Sequence, residues 1–555
     1  MKTKLKQMIR TAAETAYQAG ELNSGEFAPF AIEEPKHAAH GDLATNFAML
    51  NASGQKMAPR QIAEAVLHRL EDPEGMITQT EIAGPGFINF FIHPTAWHPV
   101  LHDIHKQDTS YGASIAGGKQ KVQVEFVSAN PTGPLHVGHG RGAVVGDAVA
   151  ALLAFSGYEV FREYYINDSG KQIHTLGRSV YLRCLESSGR TVSFPEDCYQ
   201  GDYVKEIAGA LMEASDDWIV SAEPEEAIAY CARRASERIL DGIREDLSLL
   251  GIGFDRWFSE QSLFDSGQVA QVIHQLQTEG LIYEKDDALW FNTEAFGDEK
   301  DRVVVRKNGQ TTYFASDIAY HRHKFERGFD QIVDVWGADH HGYIPRISAA
   351  IKSAGKDDNQ FRVILTQLVN LLRGGKPVAM STRAGQFVTL REVIDEVGRD
   401  AVRFIFLTRH YESQLDFDLE VAKQKTNDNP VYYVQYVHAR ITSIFKKAEE
   451  EKGIQSISGS TESISRLTET EEISLIKQMA RYPDVIQTAA ECMEPHRIAF
   501  YLMELAAAFH AYYNKHRVLT EDWQLADARL YLIRAIQTVI RNGLSLLGVS
   551  APNSM

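Results

Sequence analysis

The sequence EFVSANPTGPLHVGHGRG, residues 125–142, joins a predicted strand to a predicted helix. The residues before it, KVQVEFV, alternate between apolar and polar side chains, which is typical of a strand. SANPTGP indicates a turn, and residues 135–155, rich in Gly and Ala, are predicted to form a helix that stops at Gly157. YEVFREYYI is predicted as the next strand. A strand–loop–helix–strand unit indicates a parallel sheet with a right-handed crossover.

Two histidines stand at the start of this helix. His136 and His139 are three residues apart and share one face. The first turn of a helix has free N–H groups and a partial positive charge. Neutral imidazoles at the same place can donate further hydrogen bonds to phosphate oxygens. Gly138 lets a flat ring approach the backbone. Gly140 and Gly142 leave the helix surface without side chains at their positions. We expect a nucleotide site here.

Two other interpretations of the histidine pair stay open. A helix can begin with two histidines that have no functional role. A zinc pair is the second alternative, but the usual helical pair is spaced i, i+4, and no third ligand is evident in the sequence.

Composition narrows the class of protein. The chain has 555 residues, 44% apolar and 24% charged, which predicts about three to four globular domains and argues against disorder. A net charge of −17 argues against diffuse coating of DNA but leaves room for local basic surface. Four scattered cysteines without a C-x-x-C pair indicate a reducing, cytoplasmic location. We also expect no signal peptide and no membrane span.

The resemblance to a known family rests on several segments. LHVGH resembles the HIGH signature of class I aminoacyl-tRNA synthetases, and its surroundings resemble the bacterial form of the arginyl-tRNA synthetases. The other matching segments, which follow the family's order along nearly the whole chain, are FDRWFSEQSL (254–263), TTYFASDIAYHRHK (311–324), WGADHHGYIPRI (336–347), NPVYYVQYVHARI (429–441) and DARLYLIRAIQTVIRNGLSLLGVSAPNSM (527–555).

The resemblance implies a multidomain α/β fold. A class I Rossmann-type catalytic domain with a helical insertion would lie between an N-terminal α+β domain for the tRNA elbow and a C-terminal all-α domain for the anticodon. We expect these at 1–117, at 118–370 with the insertion at about 175–262, and at 425–555. A signature-loop and stem-contact region would occupy 371–424.

The resemblance also implies a reaction. It is the ATP-dependent ligation of L-arginine to tRNA(Arg) through an arginyl-adenylate, with release of AMP and pyrophosphate. His136 and His139 would hold the ATP phosphates, and Gly138 and Gly140 would lie near the adenosine. Mg²⁺ would enter with ATP, and no protein-bound metal is expected. The expected partners are tRNA(Arg), L-arginine and ATP, without DNA or membrane, and the expected state is a monomer.

The second class I signature departs from its usual pattern. AMSTRAG, residues 379–385, has Ala379 and Thr382 where the two lysines of a KMSK-type loop would stand. By resemblance, Met380 and Ser381 contribute to ATP binding. A catalytic cation for the departing pyrophosphate must therefore come from elsewhere.

Two cations can compensate for the missing lysine. Arg383 is one position away, and Lys121 begins the strand that leads to the histidines. The family often uses an upstream lysine, and we hypothesise that Lys121 does more of this work. An ordinary solvated charge is the alternative role for Lys121.

Arginine recognition requires carboxylates, because a planar guanidinium pairs best with a carboxylate fork. Tyr313 and Asp317 are spaced i, i+4 and would share a helix face toward the substrate side chain. A packed aromatic and a surface charge are the alternatives for these two. By resemblance, the expected arginine ligands are Glu125, Ser128, Asn130, Tyr313, Asp317 and Asp339.

The C-terminal segments NPVYYVQYVHAR and FHAYYNKHRVL interleave aromatic and cationic residues, which suits stacking on unpaired bases. The residues predicted to bind tRNA are Tyr432, Tyr436, Arg440 and Tyr512. Packing in a helical core is the alternative for the tyrosines.

Two rival functions remain. Another class I synthetase would share the histidines, but Tyr313 and Asp317 argue for a guanidinium substrate. A catalytically inactive RNA-binding relative is compatible with the altered loop, but it would have no need of His136 and His139.

Overall fold

The computed structural model describes residues 1–215, 218–378 and 388–555. The chain forms two compact units. Unit 1 comprises Met1–Tyr111, Ile441–Tyr482 and Ala507–Val539, and unit 2 comprises Gly112–Arg440, Pro483–Ala506 and Ile540–Met555. None of the described helices combines the length and the apolar character needed to cross a membrane.

In chain order the helices are α1 (Lys2–Gln18), α2 (Phe47–Gln55), α3 (Pro59–His68), α4 (Pro99–Gln107), α5 (Val137–Phe155), α6 (Lys171–Ser187), α7 (Asp202–Ser215), α8 (Trp218–Ser221), α9 (Pro224–Leu249), α10 (Gln261–Asp265), α11 (Gln268–Thr278), α12 (Tyr313–Glu326), α13 (Ile344–Ser353), α14 (Leu390–Val397), α15 (Arg399–Phe406), α16 (Leu419–Lys423), α17 (Pro430–Lys452), α18 (Thr461–Ile464), α19 (Thr470–Ala480), α20 (Tyr482–Cys492), α21 (His496–Lys515) and α22 (Trp523–Leu546). The strands are β1 (Leu43–Thr45), β2 (Ile77–Ala83), β3 (Phe87–Ile92), β4 (Lys121–Glu125), β5 (Glu159–Ile166), β6 (Arg256–Ser259), β7 (Ile282–Lys285), β8 (Ala288–Phe291), β9 (Arg302–Val305), β10 (Gln331–Gly337), β11 (Phe361–Thr366), β12 (Val369–Arg373), β13 (Lys376–Pro377) and β14 (Leu415–Asp418).

A five-stranded parallel sheet forms the centre of unit 2. Its strand order is β11-β10-β4-β5-β6, and each neighbouring pair runs parallel. The predicted unit of strand, helix and strand is β4, α5 and β5. The chain passes from β4 to β5 on one side, and β10 flanks β4 on the other. The carboxyl ends of β4 and β10 therefore form a topological switch point, where open α/β sheets bind ligands.

Helix α5 lies directly on the sheet because glycine permits a close approach. A Cβ at Gly146 would fall 2.3 Å from the ring of Phe126, the residue that follows β4. Arg141, on the same helix, has no exposed surface, and its guanidinium donates to the carbonyl oxygens of Gln367, Ser413 and His410. These contacts fix α5, and with it the histidines at its start.

The helical insertion ends earlier than expected. Helices α6 and α9 pack so closely that a Cβ at Gly177 would lie 2.4 Å from the carbonyl oxygen of Ile228. The expected range of about 175–262 was wrong at its end, because β6 pairs with β5 in the main sheet. A small antiparallel sheet of β7, β8 and β9 follows, which the sequence analysis did not anticipate.

Unit 1 contains a three-stranded antiparallel sheet of order β1-β3-β2. The segment QTEIAGPGFINFFIH forms two of these strands, β2 and β3, on either side of the Gly-Pro-Gly turn. Within this unit the Tyr111 hydroxyl donates to the carbonyl oxygen of Met479 at 3.1 Å, and the rings of His105 and Tyr531 stack at 3.8 Å. Helices α17, α21 and α22 contribute residues to both units.

Candidate functional site

The two histidines of the predicted nucleotide site lie at the N-terminus of α5, beyond the carboxyl end of β4. Their rings stack with centroids 3.6 Å apart. His136 is the N-cap, and its Nδ1 accepts from the backbone N–H groups of Gly138 at 3.1 Å and His139 at 3.4 Å. In return, Nδ1 of His139 accepts from the backbone N–H of His136 at 3.3 Å. The pair forms a reciprocal capping box built from imidazoles.

These hydrogen bonds fix the tautomer of both rings. A neutral imidazole has one accepting and one donating nitrogen, and here both Nδ1 atoms accept. Nε2 is therefore the protonated nitrogen in His136 and in His139. Each ring presents an N–H donor without a full charge.

Burial keeps both rings neutral. It lowers the pKa of His139 to about 3, and the neighbouring His136 adds to the decrease. Burial also lowers the pKa of His136, although the carboxylate of Asp339 acts in the opposite direction. At neutral pH the two groups are hydrogen-bond donors rather than cations.

The glycines of this segment have different roles. A Cβ at Gly138 would lie 3.0 Å from Cε1 of His136, so glycine allows that ring to fold over the first turn. A Cβ at Gly140 would lie 2.5 Å from Cδ1 of Leu390. Glycine at this position therefore allows the side chain of Leu390 to pack against α5, and the expectation that Gly140 lies near the adenosine stays a prediction.

The residues that follow the second signature are joined to the histidine segment. His136 and Thr389 form an antiparallel β-bridge, and the backbone N–H of Leu390 donates to the carbonyl oxygen of Leu135 at 2.7 Å. The predicted ligands Met380, Ser381 and Arg383 lie outside the described residues.

Lys121 is not brought to the histidines. It is the first residue of β4, and its backbone pairs with Asp330 at the amino edge of the sheet. The histidines follow the other end of the strand, which is about 13 Å away at the rise of a β-strand. The expectation that Lys121 serves the phosphates is corrected, because the strand carries it away from them.

Three predicted arginine ligands lie at the end of β4 and in the loop after it, where part of the backbone is strained. Val127 and Ser128 both have positive φ angles, of 71° and 41°. The Ser128 hydroxyl donates to Oε1 of Glu125 at 2.9 Å, and the Asn130 amide donates to Gln172 at 2.5 Å. The first contact joins Ser128 to Glu125 at the carboxyl edge of the sheet, and the second joins Asn130 to α6.

Tyr313 and Asp317 occupy successive turns of α12, as the spacing predicted. Tyr313 remains half exposed, whereas Asp317 is partly buried and accepts a short hydrogen bond from the Tyr343 hydroxyl. Burial raises the pKa of Asp317 to about 6, and the hydrogen bond from Tyr343 limits the increase. The carboxylates of Glu260 and Glu125 also act on Asp317 and raise its pKa.

Glu260 is a candidate site residue that could not be identified from the sequence pattern alone. It is almost fully buried and accepts hydrogen bonds from the hydroxyls of Ser316 at 2.7 Å and Ser169 at 2.8 Å. In the described part of the chain, no Lys or Arg nitrogen pairs with Glu260 or with Asp317 within 4 Å. Glu260 and the partly buried Asp317 therefore both lack a Lys or Arg partner there, and Glu260 is near enough to raise the pKa of Asp317. The position of Glu260 directly after β6 is the feature that, with the strand known, could have identified it.

A row of three acids crosses the sheet below this site. Asp334 of β10 is opposite Glu125 of β4, and Glu125 is opposite Glu163 of β5. Lys324 of α12 has no exposed side-chain surface and donates to Glu125 at 2.6 Å and to Asp334 at 2.8 Å. Arg327 donates to both oxygens of Glu163.

Tyr320 completes this network from the same helix. Its hydroxyl lies 2.8 Å from the carboxylates of both Glu125 and Glu163. The alternation of β4 predicted the face of Glu125, but the structure shows that this face is buried beneath α12.

Asp339 lies in a 3-10 helix, Ala338–Tyr343, that follows β10. Its side chain is 82% exposed and is 3.7 Å from the ring of His340. It therefore follows the carboxyl end of β10 and is near enough to His136 to act on that ring electrostatically.

The predicted tRNA-binding residues separate into two groups. On α17, the rings of Tyr432 and Tyr436 stack at 5.8 Å, and the guanidinium of Arg440 lies 4.9 Å from the ring of Tyr436. All three are partly exposed. Tyr512, by contrast, has no exposed surface, and its hydroxyl donates to Glu472 at 3.3 Å. The prediction for Tyr512 was wrong, because a buried ring cannot stack on a base.

One group of three metal-ligand side chains occurs within 1–215, 218–378 and 388–555. Glu469, Glu471 and His516 lie close enough to hold an ion. Lys515 already pairs with Glu471, so a cation is supplied by the chain itself. The expectation of no protein-bound metal stays a prediction.

Comparisons with known proteins agree over the whole chain. Three family models match it in succession: an arginyl tRNA synthetase N-terminal domain at 2–92, a tRNA synthetases class I (R) catalytic domain at 101–443, and a DALR anticodon binding domain at 434–555. The arginine–tRNA ligase of Desulfosudis oleivorans is 60% identical over 556 residues, and that of Syntrophotalea carbinolica is 53% identical over 555, each covering 100% of both chains. The arginyl-tRNA synthetase of Thermus thermophilus, at 23% identity, shares the fold with a TM-score of 0.75 over 99% of this chain and all of that one.

We expect Lys324→Met to destabilise unit 2 by about 3–5 kcal/mol, because it leaves two buried carboxylates without their cation. Urea unfolding followed by circular dichroism measures the change. Lys307→Met is the matched control, because Lys307 is exposed and lies 3.9 Å from its nearest acid. Equal midpoints for the two variants would contradict the assignment of Lys324.

Proposed function

The chain belongs to the arginyl-tRNA synthetase family, and we propose which of its residues carry out the reaction of that family. It ligates arginine to tRNA(Arg) with ATP as a substrate. In the first step, the carboxylate of arginine attacks the α-phosphate of ATP and expels pyrophosphate. In the second, a terminal ribose hydroxyl of the tRNA takes the arginyl group and AMP leaves. The protein supplies position and charge stabilisation rather than a covalent nucleophile.

His136 and His139 are assigned to the phosphates. Their Nε2–H groups and the helix N-terminus offer donors whose positions are set before ATP binds. Because the rings are neutral, they can stabilise charge that develops in the transition state without trapping the pyrophosphate product. ATP enters as its magnesium complex, with the ion held mainly by phosphates and water.

Asp317 and Glu260 are assigned to the guanidinium of arginine. The single observation that carries this assignment is that, among the described residues, neither carboxylate has a Lys or Arg partner within 4 Å. A guanidinium is planar, always charged and rich in donors, so it satisfies two carboxylates at once. Tyr313 lies one turn before Asp317 and covers the same side.

The amino and carboxylate groups of arginine are assigned to the last residue of β4 and the loop after it. Glu125 accepts only, which suits an ammonium group, and the Asn130 amide can donate to a carboxylate. Asp339, which follows β10 and acts electrostatically on His136, is kept as a further ligand. The attacking carboxylate would then face the phosphates.

The outer regions are assigned to tRNA. Residues 1–117 would bind the elbow and residues 425–555 the anticodon, with Tyr432, Tyr436 and Arg440 on the contact face. Two stacked rings and a guanidinium on one helix face suit unpaired bases and a phosphate. We propose a cytoplasmic monomer.

We expect Asp317→Asn to raise the KM for arginine roughly tenfold to a hundredfold while the KM for ATP stays unchanged, because a charge-assisted hydrogen bond is lost. In the unaltered enzyme, the KM for arginine should rise about tenfold per pH unit below pH 6, since protonation neutralises Asp317. The variant should lack this rise. Steady-state aminoacylation between pH 5 and 8 measures both.

Glu326→Gln is the control, because Glu326 is an exposed acid on the same helix. Equal effects of Asp317→Asn on the two KM values would contradict the guanidinium assignment.

The placement of Lys121 transfers the pyrophosphate role to Arg383. We expect Lys121→Ala to keep the rate of arginine activation within about twofold, because the residue lies about 13 Å along β4 from the site. Arg383→Ala should slow activation about a hundredfold, as does loss of one transition-state donor. Pre-steady-state adenylate formation is the measurement. A collapse with Lys121→Ala alone would restore the first hypothesis.

We expect Tyr436→Ala to raise the KM for tRNA(Arg) about fivefold to a hundredfold, the usual range for loss of one stacked base. The KM for arginine should not change. Tyr512→Phe, which alters a buried ring, should leave both values unchanged. A Tyr436→Ala variant with the original KM for tRNA would remove this face from the tRNA site.

A further inference from the structure

His321 of α12 is held by two acceptors. Its Nδ1 lies 2.8 Å from the carbonyl oxygen of Asp317, and its Nε2 lies 3.0 Å from Oδ2 of Asp334. A carbonyl oxygen can only accept a hydrogen bond, so Nδ1 must carry a proton. An ionised carboxylate also only accepts, so Nε2 must carry one as well.

Asp334 is the ionised partner. Burial acts to raise its pKa, but the ammonium of Lys324 and the hydrogen bond from His321 together hold the pKa below its ordinary value. Lys324 occupies the other carboxylate oxygen at 2.8 Å. Its partners among the described residues, Lys324 and His321, do not require the carboxyl to be protonated.

The charge balance of the network leads to the same proton assignment. Three buried carboxylates form the row across β10, β4 and β5, namely Asp334, Glu125 and Glu163. Lys324 and Arg327 supply two positive charges to them. A third positive charge on His321 makes the buried group neutral, which is the arrangement with the lowest cost of burial.

We infer that His321 is a buried imidazolium, and that this charge, one helical turn after Asp317, keeps Asp317 ionised for the guanidinium of arginine. The inference rests on the proposed role of Asp317. His321 would then be a positioning residue that acts on the substrate through Asp317. It touches neither ATP nor arginine in this account.

The groups around His321 and Asp317 act on the pKa of Asp317 in opposite directions. His321 faces Asp317 and Lys324 on its own helix, Asp334 on β10 and the ring of Phe361 on β11. Asp317 accepts a hydrogen bond from the Tyr343 hydroxyl, and the acids Glu260 and Glu125 oppose its ionisation. The positive charge of His321 acts against those two acids and lowers the pKa of Asp317.

The first test needs no substrate. The full-length enzyme is labelled with ¹⁵N in the histidine rings, and the signals of His321 are assigned by their loss in His321→Gln. At pH 7.5 we expect both ring nitrogens of His321 to be protonated. One protonated and one bare nitrogen would overturn the inference, whatever the role of Asp317.

The second test is a pH profile. In His321→Gln, which removes the charge but keeps an amide donor, the pH below which the KM for arginine rises should move upward by about one unit. A merely structural role would lower kcat at every pH and leave this midpoint in place, and that result would overturn the inference.

The matched control is His323→Gln. Burial lowers the pKa of His323, so its ring is neutral and its loss removes no charge from the same helix. This variant should keep the midpoint of the parent enzyme. If Asp317→Asn has no selective effect on arginine, the proposed role of Asp317 fails, while the ¹⁵N signals still decide the charge of His321.

Discussion

Unit 2, which contains the candidate site, depends most on the side chain of Lys324. Its ammonium lies between Glu125 of β4 and Asp334 of β10, at the point where the order of the sheet reverses. Burying three acids in a row would be prohibitive without cations, because like charges repel strongly at low dielectric. Helix α12 brings those cations, and its position on the sheet is fixed by them. Asp317 stands on the same helix, so the network that neutralises the sheet also positions the carboxylate that we propose binds the guanidinium of arginine.

The candidate site combines neutral hydrogen-bond donors on one side of the loop after β4 with carboxylate acceptors on the other. On the phosphate side, backbone N–H groups hold two imidazoles in one tautomer, and burial keeps them neutral. On the proposed arginine side, neither Glu260 nor the partly buried Asp317 has a Lys or Arg partner among the described residues, and we propose that the guanidinium of the substrate is that partner. Donors to a polyanion and acceptors for a guanidinium are thus separated by one loop. That separation suits a reaction that joins an anion to a cationic amino acid.

Local patterns predicted what local forces determine. The β4–α5–β5 unit, the shared face of His136 and His139, and the spacing of Tyr313 and Asp317 could all be predicted from the sequence. The acid row could not, because it depends on the register between β4, β5 and β10, which are far apart in the chain. Tyr512 shows a second limit, because interleaved aromatics and cations look the same in a core and on an RNA-binding face. Lys121 and Glu260 show a third, since the end of a strand on which a residue stands decides its access to the site.

The central claim is that two buried carboxylates require the guanidinium charge of the substrate. ATP–pyrophosphate exchange with tRNA(Arg) present, measured for arginine, lysine and citrulline, tests it most directly. Citrulline has the shape of arginine without its charge, and lysine has the charge without the planar donors. The account predicts exchange with arginine and a loss of at least about a thousandfold in kcat/KM with either analogue, because buried acceptors would be left unpaired. Exchange with citrulline within about tenfold of that with arginine would contradict it.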